Sequence, residues 1–323
     1  MDLTEVLPDT IWSDILAPLN IYTEVEGISQ STSSIQASLL DNVQRNRYKQ
    51  STKTAKIDEK GYRIEEWKLD GVHHRDPAKG PAYTKWINNI IIHQTWRIQG
   101  QLHRDPNKGP AAIWWHLNGT KRHEAWWQNG QRHRLDGPAV IEWYEDDIKK
   151  EEKWYKNGNF YRHKKWRRNG TEESEEWYHN VPPGVFSRQS FPNHRLDGPA
   201  HITWYDDGTK RSESWWQNGQ SHRLDGPAVN MWHKNGNKMR EEWWINDQIH
   251  RLDGPANISW YEDGTKEGEA WVQNGQGHRV EYSIDPLTGQ GTLLPVETQW
   301  NKDGTKRYEI WYQNGKYIRR KDY

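Results

Sequence analysis

Aromatic residues alternate with polar residues along most of the chain, and the tryptophans recur at fixed distances. Segments such as YDDGTKRSES at 205–214 place a turn dipeptide between two short runs of aromatic and polar residues, which is typical of a β-hairpin. We call the tryptophans before and after such a turn the first-strand and second-strand Trp. Seven such pairs are each 11 residues apart: Trp115/Trp126, Trp143/Trp154, Trp166/Trp177, Trp204/Trp215, Trp232/Trp243, Trp260/Trp271 and Trp300/Trp311.

A second motif repeats between the hairpins. HRLDGPA occurs at 133–139, 194–200, 222–228 and 250–256, with longer forms at 74–82 and 103–111. Its histidines, including those of degenerate copies at 163 and 278, follow one another at intervals of 28 to 31 residues. A period of this length indicates an array in which each repeat is one supersecondary unit. The pattern therefore predicts a mainly β chain of successive hairpins.

Side-chain alternation predicts the face on which the tryptophans lie. If residues 207–208 are the two central residues of a turn, Trp204 lies opposite Arg211 and shares a face with Trp215. The following Asn-Gly step places Trp215 opposite His222. The even steps from 86 to 96 and from 154 to 166 break the odd spacing, so we predict β-bulges there.

Composition changes this picture in one respect. Only 33% of the 323 residues are hydrophobic and 28% are charged, with a mean hydropathy of -1.20, which is usual for disordered chains. The 22 tryptophans argue against disorder, because each can bury roughly 150–250 Å². We expect an elongated single-layer sheet of about eighteen short strands at the usual strand spacing, rather than a globule with an aliphatic core.

Charge and cysteine content exclude several functions. The chain has 45 basic and 45 acidic residues, and a dedicated nucleic-acid binder normally has a basic excess. It has no cysteine and so no zinc finger, iron–sulfur cluster or thiol nucleophile. No apolar stretch is long enough to span a membrane, and residues 1–20 lack the basic start of a signal peptide. We predict a cytoplasmic or nuclear protein without a cofactor.

The first fifty residues follow a different pattern. Apolar residues with helical spacing begin after Val6 and predict three short helices within residues 1–48. Such a small module rarely buries enough surface to be stable alone, so we expect it to have a partner. Residues 49–60 are polar and aperiodic, and we interpret them as a linker. The last residues, 319–323, are predicted to form a basic tail.

The repeats resemble a known family. Trp/Tyr, Asn-Gly-Gln/Lys, His-Arg and Gly-Pro-Ala in successive hairpins are similar to variants of the MORN repeat. The resemblance covers residues 61–318 in about nine units, with second strands centred on tryptophans from Trp67 to Trp311. It implies an elongated, single-layer antiparallel meander used for binding or scaffolding. The longer Asp-Gly-Pro-Ala segment departs from the shorter MORN unit.

The N-terminal module resembles an F-box. Leu7-Pro8 is followed by apolar residues at the F-box spacing, and Ile28-Ser29 stands at its Val-Cys/Ser step, although the aromatic residue that usually follows is absent. The resemblance implies docking to a Skp-type adaptor of a cullin-RING ubiquitin ligase. The residues that it assigns to adaptor binding are Leu7, Pro8, Ile11, Ile15, Leu16, Leu19, Val25 and Ile28. The combination of F-box and MORN-like repeats resembles proteins of marseillevirus-type giant DNA viruses. An unrelated helical cap on the first edge of the sheet is the alternative.

Recurring polar residues are predicted to be structural. Each repeat has one histidine without a nearby second ligand, so we predict an imidazole that packs on Trp and bonds to Glu rather than a metal site. The glutamates two residues before the second-strand Trp are predicted to pair across the sheet. They are Glu124, Glu152, Glu175, Glu213, Glu241, Glu269 and Glu309. We find no motif of a catalytic site or a metal site, and we predict a protein that is not an enzyme.

Two insertions are candidate client-binding loops. Residues 181–193 and 280–296 interrupt the repeat in equivalent connections and contain apolar residues that a hairpin repeat does not need. The candidate client-binding residues are Phe186, Phe191, Leu293 and Leu294. The alternative is that they fold back and cover a tryptophan face. We therefore predict an adaptor that joins a client protein to a ubiquitin ligase in the cytoplasm or nucleus, of the host cell if the protein is viral. The alternative is a structural scaffold or virion-associated protein.

Overall fold

The structure, a computed structural model, describes residues 51–181, 194–279, 282–284, 291–313 and 316–323. The chain divides into two units, Met1–Thr52 and Lys53–Tyr323. The predicted helical module at 1–48 lies outside the described residues. Those residues contain no α-helix, and their helical turns are two short 3-10 helices, Pro77–Lys79 and Pro106–Lys108. No helix within them is long and apolar enough to cross a membrane.

Twenty strands of the described residues form one open antiparallel sheet. Nineteen of them form a meander, in which each strand pairs with its neighbours along the chain. Numbered along the chain, these strands are β1 (Thr52–Ile57), β2 (Arg63–Leu69), β4 (Tyr83–Ile87), β5 (Ile90–Thr95), β8 (Ala112–Trp115), β9 (Lys121–Ala125), β12 (Val140–Trp143), β13 (Lys149–Lys156), β14 (Asn159–Trp166), β15 (Glu172–Val181), β16 (His201–Trp204), β17 (Lys210–Ser214), β20 (Val229–Trp232), β21 (Lys238–Glu242), β24 (Asn257–Trp260), β25 (Lys266–Ala270), β30 (Glu297–Trp300), β31 (Lys306–Gln313) and β32 (Lys316–Asp322). The predicted mainly β array of hairpins is confirmed.

Shorter strands form small hairpins in the connections between units. The short strand β3 (Val72–His73) extends the main sheet. The others pair two by two: β6 (Arg97–Ile98) with β7 (Gln101–Leu102), β10 (Trp127–Gln128) with β11 (Gln131–Arg132), β18 (Trp216–Gln217) with β19 (Gln220–Ser221), β22 (Trp244–Ile245) with β23 (Gln248–Ile249), β26 (Val272–Gln273) with β27 (Gln276–Gly277), and β28 (Tyr282–Ile284) with β29 (Gly291–Leu293). Each HRLDGPA segment therefore follows a small hairpin or, at 194–200, a longer insertion.

The Asn-Gly turns have the geometry that the sequence predicts. Asn218 and Gly219 both have positive φ angles, 49° and 80°, as a type I′ turn requires. This turn twists in the same sense as the flanking strands and closes β18 on β19 with two central residues. The ladder continues to the predicted pair, since the backbone N–H of His222 donates to the carbonyl of Trp215 over 3.1 Å. The predicted placement of Trp215 opposite His222 is confirmed.

The Asp-Gly turns differ from the prediction by one residue. The N–H of Gly208 donates to the carbonyl of Tyr205, and Gly208 itself has φ 88°, so the loop contains three residues rather than two. Trp204 consequently pairs with Lys210, and the prediction of Arg211 as its partner was wrong. The extra residue is accommodated as a β-bulge in the second strand, which places Lys210 next to the tryptophan.

Bulges occur in each hairpin of the main sheet from β4–β5 to β31–β32, whereas we predicted them at two steps. The predicted ones are present at Trp86 and near Trp154 and Trp166. The register also shifts at the first-strand Trp of the other units, namely Trp115, Trp143, Trp204, Trp232, Trp260 and Trp300. The shift recurs because the three-residue loop recurs. The constant 11-residue distance between paired tryptophans does not reveal such a shift.

Burial is concentrated on small residues between the units rather than on the tryptophans. The alanine or valine of each connection is almost fully buried: Ala82, Ala111, Ala139, Ala200, Ala228, Ala256 and Val296. Its backbone links adjacent strands, as when the carbonyl of Ala228 accepts from the N–H of Trp215 over 2.7 Å. Of the second-strand tryptophans, Trp96, Trp126 and Trp311 are 6% exposed, whereas most others are half-buried. The sheet therefore has only a small buried apolar core.

Both ends of the sheet extend beyond the predicted repeat. Residues 52–57, within the predicted linker, form β1, and the predicted basic tail at 319–323 belongs largely to β32. Every residue of the two strands is exposed. Neither strand shows apolar alternation, because neither has a buried face, and this is why the sequence pattern did not identify β1.

Candidate interaction surfaces

One face of the sheet carries a row of glutamates. The seven glutamates that precede the second-strand Trp by two residues each lie opposite Ile, Asn, Thr or Lys in both neighbouring strands. Glu213, for example, pairs with Ile202 on one side and with Asn230 on the other. Their predicted role as sheet-pairing residues is confirmed. Most of them are buried, and Glu309 is 4% exposed. A buried carboxylate needs a cation, so the row needs partners.

A lysine three residues earlier supplies that cation in six units. The ammonium–carboxylate distances are 2.6 Å in Lys121–Glu124 and 2.7 Å in Lys210–Glu213. The same contact occurs in Lys149–Glu152, Lys238–Glu241, Lys266–Glu269 and Lys306–Glu309. Each lysine also lies over an aromatic ring beyond its own hairpin, as Lys210 does over Trp232 at 5.4 Å. One lysine thus neutralises a glutamate and covers an aromatic ring further along the sheet, a tryptophan in five cases and Tyr323 in the case of Lys306.

Glu175 obtains its cations from a different strand. The residue three before it is Glu172 rather than lysine, so the usual partner is missing. Arg162 of β14 contacts Glu175 at 2.8 Å, and Lys164 of the same strand lies 3.4 Å from it. Lys164 also contacts Glu172 at 3.0 Å. Strand β14 thus replaces the missing lysine and lies as a basic strand beside the acidic strand β15.

The arginine of each HRLDGPA motif covers a second-strand tryptophan. The Arg223 guanidinium lies 4.0 Å from the ring centre of Trp215 and donates from Nε to Asp225 over 2.8 Å. Its hydrogen bond and charge lower the pKa of Asp225. Equivalent stacks are Arg75/Trp67, Arg104/Trp96, Arg134/Trp126, Arg195/Trp177, Arg251/Trp243 and Arg279/Trp271. The stacked guanidinium groups therefore cover these rings, which in a two-layer protein would pack against a second sheet or a helix.

The repeated histidines join successive units through the backbone. Nδ1 of His133 accepts from the N–H of Asn157 over 3.0 Å, and Nδ1 of His194 accepts from the N–H of Asn218 over 3.1 Å. The predicted bond to glutamate was therefore wrong for these members of the ladder. It is present for the degenerate copy His163, whose Nε2 lies 2.8 Å from Glu151. The turn asparagine was overlooked as a partner because it lies in the following repeat.

Another contact between units involves the residue after each first-strand Trp. Tyr205 donates its hydroxyl to the carbonyl of Trp232 over 2.8 Å, and Tyr261 does the same to Trp300 over 2.9 Å. The ladder between β17 and β20 ends at Met231, so this carbonyl lies just beyond the last strand pair. Equivalent contacts join Tyr144 to Trp166, Arg167 to Trp204 and His233 to Trp260. The recurrence of a donor after Trp was the sequence signal for this contact.

The opposite face carries a row of stacked rings near the start of the sheet. His93 lies 4.4 Å from Trp114 with nearly parallel planes and 5.3 Å from Tyr83. Burial, with the charges of Arg97 and Lys85, lowers the pKa of His93 to about 4. Its Nε2 is buried and has no hydrogen-bond partner in the structure. The imidazole is therefore held neutral as a packing group.

The four leucines of the HRLDGPA motif are largely exposed, unlike the arginine and histidine of the same motif. Leu135, Leu196, Leu224 and Leu252 are 75%, 75%, 79% and 70% exposed. The last three belong to consecutive units, and successive units are two strands apart, or about 9–10 Å at the usual strand spacing. We call these four residues the leucine row. Contiguous exposed apolar patches mark interaction sites, and the leucine row is a candidate for such a surface. The sequence signal for this surface was the recurrence of leucine at the same position of the HRLDGPA motif.

The predicted site residues are only partly within the described region. All eight adaptor-binding residues, from Leu7 to Ile28, lie outside it, as do Phe186 and Phe191. Leu293 and Leu294 are described and half-buried. The carbonyl of Leu293 accepts a hydrogen bond from the indole of Trp311 over 2.9 Å. The end of this insertion is therefore attached to the sheet, and its role in client binding stays a prediction.

The described residues contain no group of three or more His, Asp or Glu side chains placed to hold a metal ion. In comparisons with known proteins, no family model and no curated protein matches the chain.

Proposed function

We propose that the protein is a non-enzymatic interaction adaptor. Its F-box-like module at 1–48 docks a Skp-type adaptor of a cullin-RING ubiquitin ligase, and its MORN-like sheet binds a client protein in the cytoplasm or nucleus, of the host cell if the protein is viral. The F-box and MORN resemblances of the sequence support this proposal. The leucine row is the observation in the described residues that carries it.

The leucine row differs from the other recurring side chains of the repeats. The recurring Glu, Arg and His side chains of the motifs contact a neighbouring strand or unit, and each of these contacts helps to hold the sheet together. The leucines, which recur just as regularly, are 70–79% exposed. An exposed leucine adds little to stability, so a function in binding accounts for its recurrence better than folding does.

Client binding is tested with a triple variant of the full chain, Leu196→Ala, Leu224→Ala and Leu252→Ala. We call it the leucine-row variant, since it changes the three members of the row that belong to consecutive units. We expect it to unfold at the same urea concentration as the wild type and to capture much less of the proteins that the wild type retains from host extract. Leu117→Ala, which removes a leucine that is 62% exposed outside the row, is the matched control. Undiminished capture by the triple variant would contradict a role for the row.

Adaptor docking is tested separately. Leu7→Asp with Ile11→Asp should abolish co-purification of a recombinant Skp-type adaptor, whereas Val43→Asp, outside the predicted adaptor-binding set, should not. A wild-type chain that fails to bind the adaptor while it still captures clients would favour the alternative of a structural scaffold without a ubiquitin role.

A further inference from the structure

The C-terminal strand repeats the sequence of an interior strand. Residues 152–166 (EKWYKNGNFYRHKKW) and 309–323 (EIWYQNGKYIRRKDY) share Glu, Trp-Tyr, Asn-Gly, Arg and Lys at the same positions. Their pairing is also the same. Arg162 of β14 lies opposite Trp154, and Arg319 of β32 lies opposite Trp311, with a register shift directly after the tryptophan in both hairpins. Strand β32 is therefore the counterpart of β14.

Strand β14 is covered by an acidic strand on its second edge. In the ladder with β15, Arg162 lies opposite Trp177 and Lys164 lies opposite Glu175. The Arg162 guanidinium is sandwiched between two rings, 4.4 Å from Trp154 and 4.6 Å from Trp177. With these partners the side chains of Arg162 and Lys164 are only 25% and 18% exposed. The second edge of β14 thus accepts a strand with glutamate two residues before tryptophan.

Strand β32 makes only the first half of these contacts. Arg319 lies 4.2 Å from Trp311, and Lys321 pairs with Glu309, as their counterparts in β14 do with Trp154 and Glu152. Among the described residues, β31 is the one strand that pairs with β32, and all seven residues of β32 are exposed. Within the described part of the chain, no strand lies beside the edge of β32 that corresponds to the β15-facing edge of β14.

We propose that β32 is an acceptor edge for an extended acidic segment of a partner protein. The segment adds as an antiparallel strand, with a glutamate opposite Lys321 and an aromatic residue opposite Arg319, in the register that β15 has on β14. This inference deepens the proposed function, and it rests on that function only in taking the sheet as the part that binds partners.

Charge argues against the edge strands of a second copy of this chain as the occupant. Strand β32 has four basic residues and one acidic residue, and β1, the strand at the other end of the meander, has two lysines and no acid. Pairing β32 with either strand of another copy would bring basic residues together, an arrangement that prevents sheets from joining at their edges. Strand β15 has four glutamates, and a partner segment must resemble it in charge.

The chain itself supplies the probe. A fluorescein-labelled peptide of residues 171–181 (TEESEEWYHNV) is titrated onto the full-length protein and binding is followed by anisotropy. We expect saturable binding that weakens as salt is raised, because the contacting charges are exposed before binding. Hydrogen exchange should slow on binding in residues 316–323, the strand that gains a neighbour, and not in β1.

Substitutions test the register. Lys321→Gln should weaken binding severalfold, and Lys321→Glu by about tenfold, as expected when part-exposed ion pairs become repulsive. A peptide with lysine in place of Glu175 should bind the Lys321→Glu protein better than the original peptide does, and this rescue shows that the variant is folded. Lys108→Glu, the same charge change in a distant connection, should leave binding unchanged.

Three results would overturn the proposal: no binding, equal binding of a scrambled peptide, or equal competition by single-stranded RNA. The last two would identify a site for polyanions without strand register. Failure of the peptide to bind, with capture of clients through the leucine row intact, would refute this edge and leave the proposed function standing. Undiminished client capture by the leucine-row variant, with peptide binding intact, would refute the role of the row and leave this edge standing.

Discussion

Removing one hydroxyl between two units should weaken the sheet measurably. Tyr205 donates to the carbonyl of Trp232 over 2.8 Å at a part-buried position, just beyond the last pair of the β17–β20 ladder. Tyr205→Phe keeps the ring and deletes the donor, so we expect a loss of about 1 kcal/mol, the usual net value of a hydrogen bond. Tyr261, two units further along the meander than Tyr205, makes the same contact with the carbonyl of Trp300, and Tyr261→Phe should reduce the free energy of unfolding by a similar amount.

Urea unfolding, followed by far-UV circular dichroism and by tryptophan fluorescence, measures this effect. The double variant should lose about 2 kcal/mol, because sites without shared partners are nearly additive. The control is Tyr317→Phe, since Tyr317 is 60% exposed and contacts Tyr312 through its ring alone. A Tyr205→Phe protein as stable as Tyr317→Phe would refute the claim that these hydroxyls join the units.

Further predictions concern the turns and two titrating groups. Gly208→Ala should cost about 1 kcal/mol in the same assay, because φ is 88° there while no atom obstructs an added methyl group. Because the pKa of His93 is lowered to about 4 in the folded protein, the unfolded chain takes up a proton at this residue at a higher pH. Stability should therefore fall as the pH is lowered from about 6.5 to about 4, and His93→Gln should flatten that part of the curve of stability against pH. Burial raises the pKa of Glu309, but the hydrogen bond from Lys306 outweighs this effect and the pKa is lowered overall. The folded protein therefore loses stability as the pH falls below about 4.5, and Lys306→Met should make that loss smaller.

Periodicity predicted the parts of the fold that depend on local chain geometry. The Asn-Gly turns, the placement of Trp215 opposite His222 and the paired glutamates follow from alternation and from residues that tolerate a positive φ. The three-residue loop around Gly208 was missed, because Asp-Gly is compatible with loops of either length. One bulged residue then changed the partner of Trp204 from Arg211 to Lys210.

Contacts between units were the hardest to predict. The bond from His133 to the backbone of Asn157 spans one whole repeat, so spacing within a repeat gives no indication of it. Glu175 shows the same difficulty, since its cations come from β14 rather than from the usual lysine. The exposed leucine of HRLDGPA was visible in the sequence, but its exposure depends on the path of a connection whose other side chains are used for support.

The central claim is that one chain joins an adaptor and a client through separate surfaces. Size-exclusion chromatography of the full chain with a recombinant Skp-type adaptor and a client recovered by capture tests it directly. We expect the wild type to bring both into one complex, Leu7→Asp with Ile11→Asp to retain the client and lose the adaptor, and the leucine-row variant to retain the adaptor and lose the client. A wild-type chain that never holds both proteins at once, or variants that lose both together while folded, would contradict the claim.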